Sequence, residues 1–273
     1  MDLLVTQLDG TKRLLSQYNI LITSFEEGAP TVSRNSSQLD QRNGSIDFGG
    51  WHKSKTIKVE GYMRANSQDE EELLRERIYA LLTNVNGYYI TQFKNDDFNN
   101  YERPGEQTGE LLDKITNYPS HKRFLVYCEE PSFDFIGMTG GKILYKLSAD
   151  FITLKLPYGE SIAKDILITK GVVPYKGTVD CNQLEQQFSI QFVATKAATT
   201  LKIMLDEQTF LYSGSVTVGD VFLLGGFSFT KNALSIVSNT NYQYFIFHAR
   251  SANHLTSSIA GVIKILGFQN LYA

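Results

Sequence analysis

Short segments in which apolar side chains alternate with polar ones or run together recur along much of the chain, and these strand-like segments are what most limits how it can fold. Residues 19–25 (NILITSF), 52–63 (HKSKTIKVEGYM), 87–93 (GYYITQF), 123–128 (RFLVYC) and 142–156 (KILYKLSADFITLKL) alternate or run apolar. Their branched and aromatic residues suit a pleated, half-buried surface. Asn43-Gly44 marks a tight turn because both residue types tolerate positive φ. Gly49-Gly50, just before the single tryptophan Trp51, marks a second reversal or a bulge.

One segment breaks this pattern. Ser67 followed by Glu70 has the form of a capping box, and residues 69–72 set negative charge against the positive end of a helix dipole. Leu74, Ile78, Leu81 and Leu82 then fall at i, i+4, i+7 and i+8, so a helix with one apolar stripe is predicted to lie across a sheet. Residues 84–87 offer its stop. From 94 to 122 the pattern lapses into a polar, turn-rich stretch with a brief ELLDKI that fits one or two helical turns. A long irregular excursion of this kind reads as an extended arm, a functional loop or a mobile segment. Pro157-Tyr158-Gly159 closes the last strand of this half, and the boundary is placed there, dividing 1–158 from 159–273.

The second half is read as almost wholly β, with strands within 166–171, 185–195, 200–205, 208–226, 227–237, 242–249 and 261–268. Gln187, Ser189 and Gln191 alternate with Phe188, Ile190 and Phe192, giving one wet and one packed face. Short strands at roughly ten-residue spacing argue for an antiparallel sandwich or jelly roll. The expected fold is therefore mainly β: a β-rich N-terminal domain with one main helix and an extended arm, then a β-sandwich.

With 273 residues the chain can bury a sizeable core without a disulfide or metal staple. A net charge of -3 argues against a nucleic-acid binder and against a polybasic membrane-surface protein. The opening MDLLVTQLDGTKR does not read as a signal peptide, and no apolar run approaches the ~20 residues of a membrane helix, so a soluble chain is expected. Cys128 and Cys181 sit in strand-like runs and read as two free buried thiols; sequence leaves a bridge between them open.

No constellation of catalytic residues emerges. The four histidines, His52, His121, His248 and His254, form no metal-ligand spacing, and no nucleophile elbow is present. GMTGGK (137–142) lacks the spacing of a phosphate loop and precedes a strand, so it reads as a hairpin turn. Asp96-Asp97 and Glu129-Glu130 are sequence neighbours, which do not by themselves face one another across a sugar. No enzymatic activity, cofactor or metal is expected. The 17 Phe and 15 Tyr pave a core in large part, and also suit a sugar-binding or assembly face. The candidate face for a saccharide or partner is Tyr212, Tyr242, Tyr244, His248 and Arg250. On one regular strand Tyr242, Tyr244 and His248 would share a side, with Phe245 and Phe247 turned to the core.

The order of these pieces resembles a known family. A glycine-led hairpin with KTIKVEGYM feeds the helix SQDEEELLRERIYALL, the strand LSADFITLKLP closes the first half, and GSVTVGDVFLLGG with NALSIVSNTNYQYFIFHARSANHL shapes the second. This resembles the distal tail proteins of long, non-contractile-tailed phages and prophages of Gram-positive bacteria, over nearly the whole chain. The resemblance implies an N-terminal domain forming a hexameric ring at the virion tail tip, with a channel for DNA, and a galectin-like C-terminal sandwich. The implied partners are further copies of the chain, the tail-tube, tape-measure and tail-associated tip proteins, and a receptor-binding protein; membrane and sequence-specific nucleic acid are not among them. The rival reading is a lectin-like module touching cell-wall saccharide.

Overall fold

The computed structural model describes residues 1–41, 43–95 and 117–273. They fall into two compact units, Met1–Gly159 and Glu160–Ala273. The first contains strands β1 (Asp2–Thr6), β2 (Lys12–Leu14), β3 (Ile20–Glu27), β4 (Thr31–Ser37), β5 (Ile46–Ser54) and β6 (Thr56–Ala65). Helix α1 (Gln68–Leu82) follows, then β7 (Tyr88–Asn95), β8 (Asn117–Pro119), β9 (Phe124–Cys128), β10 (Ser132–Thr139) and β11 (Lys142–Thr153). The arm expected within 94–122, with its ELLDKI turn, lies largely outside the described residues.

Nine of these strands form one antiparallel sheet in the order β2-β1-β7-β9-β11-β6-β3, with β8 added to β7 and β10 to β11. β11 organises it: β6 pairs along nearly all of one edge, while β10 and β9 share the other, at Lys142–Ser148 and Phe151–Thr153. The opening Asp2–Thr6 was not expected as a strand, yet it sits between β2 and β7 with Leu3 and Val5 fully buried. Its apolar run is too short to show a period, and only pairing reveals it.

The helix forms where the periodicity placed it. Ser67 accepts from the Glu70 N–H at 3.1 Å, and the Glu70 carboxylate accepts from the Asn66 N–H at 2.8 Å, one residue earlier than a standard capping box. Leu74, Ile78, Leu81 and Leu82 pack with Ile22, Val59, Met63, Tyr88 and Phe151 in one core. The helix ends at Thr83, and Gly87, at φ 74, donates to the Asn84 carbonyl at 3.0 Å before β7 begins. GMTGGK is a hairpin turn: Gly140 and Gly141 take φ 58 and 73 between Thr139 and Lys142, which are paired.

Among the described residues β4 and β5 pair only with each other. The expected turn at Asn43-Gly44 falls between β4 and β5, where Gly44 takes φ 81 and Gln41 φ 62 among the described residues. Gly49-Gly50 does mark a bulge: Arg34 faces Gly50 and Ser36 faces Asp47, leaving one extra residue in β5, with Gly49 at φ 97.

The second unit stacks two antiparallel sheets. One runs Lys164–Ile168, Gly261–Phe268, Ser189–Ala194, Val221–Gly225, Ser228–Lys231, Leu234–Ser235. The other runs Val172–Val173, Asn253–Ser257, Leu201–Leu205, Gln208–Tyr212. Their inner faces meet through aromatic pairs, Tyr212 with Phe222 and Phe210 with Phe229, each at 5.2 Å between ring centroids. Phe188, Ile190 and Phe192 are buried while Gln191 is partly open, as the alternation required.

Candidate functional site

The hairpin β4–β5 is the feature of the first unit with the least intramolecular explanation. Nearly every residue in it is exposed, including Val32 (58%), Phe48 (63%) and Trp51 (56%). Three large apolar side chains on a two-stranded ribbon, with Val32 and Trp51 on opposite faces, gain little from their own fold and are open to contacts outside it. Sequence reading gave Trp51 only as a turn neighbour. The hairpin carries no buried face, so its apolar residues left no periodic signal to find.

Its root is built differently. Glu27, at the end of β3, is shared by two lysines: Lys122 Nζ lies 2.7 Å from the carboxylate, and Lys55, 1% exposed, pairs with it as well. Both ammonium groups stand 5.4 Å from the centroid of the buried Phe124 ring. Burial pushes the Glu27 carboxyl up, but the hydrogen bonds and charges of Lys122 and Lys55 outweigh it and hold it below its ordinary 4.5. Beside it, burial and then the charges of Lys122 and Lys94 hold the His121 imidazole below its ordinary value. A short distance along β5, His52 Nδ1 is 2.8 Å from the Tyr158 hydroxyl, with the rings edge to face.

Two further surfaces belong to this unit. An open groove of about 910 Å³ is lined by Leu8, Arg13, Tyr18, Arg77, Leu81 and Asn84. Strand β10 pairs with β11 alone among the described residues, and it exposes Phe135, Ile136 and Met138.

The expected saccharide face in the second unit does not assemble as the alternation proposed. Only Ile246–Phe247 of residues 242–249 is strand, and Tyr242, at φ 58, breaks the phase. Asn241 causes the break: its side chain accepts from the Leu211 N–H and donates to the Thr209 carbonyl, taking the place of ladder bonds. Tyr212 is buried against Phe222, and Tyr244 is partly buried. Tyr242, His248 and Arg250 are exposed, and His248 Nδ1 lies 2.9 Å from Asp180. Phe245 and Phe247 are fully buried, as expected. Among the described residues no group of His, Cys, Asp or Glu is placed to hold a metal ion, and no helix is long and apolar enough to cross a membrane.

Residues 8–144, half of the chain, match the family model for the phage tail protein RIFT-related domain. The chain belongs to that family. The match falls within the first unit and covers the hairpin, its root and α1. None of the curated proteins matches the chain by sequence. Among solved structures it is similar to SPP1 Dit (gp 19.1), a hub adsorption apparatus protein of phages infecting Gram-positive bacteria. That likeness has a TM-score of 0.66 at 11% identity and covers 99% of each chain. It shows a shared fold through both units. The phage p2 baseplate in its activated conformation with Ca aligns over 98% of this chain and 97% of that one, at 9% identity and a TM-score of 0.41. The chain is thus a structural phage tail protein with the fold of a distal tail protein.

Proposed function

We propose that the chain is the distal tail hub: a hexameric ring at the end of the tail tube, open for DNA, that joins the tube to the host-adhesion device. The observation that carries this reading is the hairpin β4–β5, an exposed ribbon bearing Val32, Phe48 and Trp51 that pairs with no other strand among the described residues. A closed ring of identical subunits needs two different patches that meet head to tail. The hairpin supplies one, and the open edge of β10 with Phe135, Ile136 and Met138 supplies a second of matching apolar character. The tube-facing and tape-measure contacts belong to the first unit. The second, galectin-like unit projects toward receptor-binding and tip proteins. The lectin-like alternative draws no support from a buried Tyr212 and a broken 242–249 strand.

Electron microscopy of tails decorated with antibody to the second unit tests the proposal. Label at the tip, with a six-fold ring in averaged end-on views, is expected. Label along the tube or on the capsid would overturn it.

A further inference from the structure

We propose that Glu27, Lys55 and Lys122 form a charge clamp that fixes the direction of the β4–β5 hairpin against the first unit. The hairpin is joined to the sheet by two narrow legs. One is the connection 28–30 between β3 and β4; the other is the single residue Lys55 between β5 and β6. Among the described residues no ladder beyond these legs ties β4–β5 to the sheet, so the direction of the ribbon rests on the contacts at its root.

Four sets of contacts hold that direction. The Lys55 backbone is fastened to β11: its N–H donates to Thr153 Oγ1 at 2.9 Å, and its carbonyl accepts from the Thr153 N–H at 3.0 Å. Across the legs, the Gly28 N–H donates to the Thr56 carbonyl at 3.0 Å, and a Cβ at Gly28 would lie 2.8 Å from that same oxygen. The Glu27 carboxylate then ties the second leg to the body, since Glu27 ends β3 and is paired with Ile57 of β6, Lys55 is the leg, and Lys122, from the body segment ahead of β9, holds the same carboxylate. Phe124 lies beneath both ammonium groups, and Gly159 packs so tightly on this corner that a Cβ there would come within 2.9 Å of both Phe124 and Lys122. A charged pair held against an aromatic wall keeps its geometry better than one waving in solvent. His52 and Tyr158 add a second tether further out.

The inference concerns the hairpin in a single chain and stands whether or not copies assemble. Spin labels at Ser36→Cys on the hairpin and Glu76→Cys on α1 report the angle by pulsed electron resonance. The otherwise native chain should give a single narrow distance. Lys122→Met removes one of the two cations that fix the Glu27 carboxylate while leaving Glu27 and Lys55 paired, so it should broaden the distance without lowering the melting temperature of the unit. Glu27→Gln should broaden it further and, by leaving Lys55 buried and unpaired, destabilise the fold as well. If the Glu27→Gln chain does not fold, Lys122→Met decides alone. An unchanged narrow distance in Lys122→Met, or a distance already broad in the native chain, would overturn the clamp.

Discussion

Asp220 ties a turn to a neighbouring strand by accepting from three donors. The Thr217 N–H lies 2.7 Å from its carboxylate, the Asn232 side-chain amide 2.8 Å, and the Lys231 ammonium 2.8 Å. Burial pushes this carboxyl up, but the Lys231, Thr217 and Asn232 hydrogen bonds outweigh it and hold it well below its ordinary 3.8. A depressed carboxylate stabilises the fold fully above its unfolded value and loses that contribution as pH falls through the lower folded one. Asp220→Ala is expected to lower the stability of the second unit by roughly 2–3 kcal/mol in urea unfolding near neutral pH. The gap from the native chain should close only in strong acid. The two thiols respond in the opposite sense. Burial pushes Cys128 up to about 11 and Cys181 up to about 12, so neither forms thiolate at ordinary pH. A disulfide-exchange dye at pH 8 should find no fast thiol in the native chain and both after denaturation.

At the scale of elements, α1 and the hairpin show opposite ways of being stabilised. The helix is specified twice, by its cap and by its stripe, and the two contributions are separable. Ser67→Ala removes the acceptor for the Glu70 N–H and should cost about 1 kcal/mol by thermal melting, while the Glu70 contact to Asn66 persists. The hairpin has no stripe to lose. Trp51→Ser and Phe48→Ser should change the melting temperature of the isolated chain little, because exposed side chains away from packed sites contribute within about 0.5 kcal/mol. The same pair of changes should abolish any ring seen by light scattering or negative stain. A ring that survives both would place the intersubunit contact elsewhere.

For the whole molecule, the division of labour follows from what each unit leaves unpaired. The first unit carries a free ribbon, an open sheet edge and a groove; the second closes two sheets over an aromatic core. A domain of the first kind is built to be completed by neighbours, and removing residues 31–54 should leave a folded, strictly monomeric chain. Circular dichroism with analytical ultracentrifugation checks both halves of that statement. Loss of fold would mean the hairpin belongs to the core after all.

The sequence by itself determined the local choices: where α1 starts and stops, which strands alternate, and the hairpin at Gly140-Gly141. These depend on neighbours a few residues apart, through period, cap and φ, and so they were legible. Only the tertiary structure decided that Asp2–Thr6 sits inside the sheet, that 242–249 breaks at Tyr242, and that Glu27, Lys55 and Lys122 meet at Phe124. Each of these rests on a partner far along the chain, and a charge or a short apolar run carries no mark of which distant residue will satisfy it.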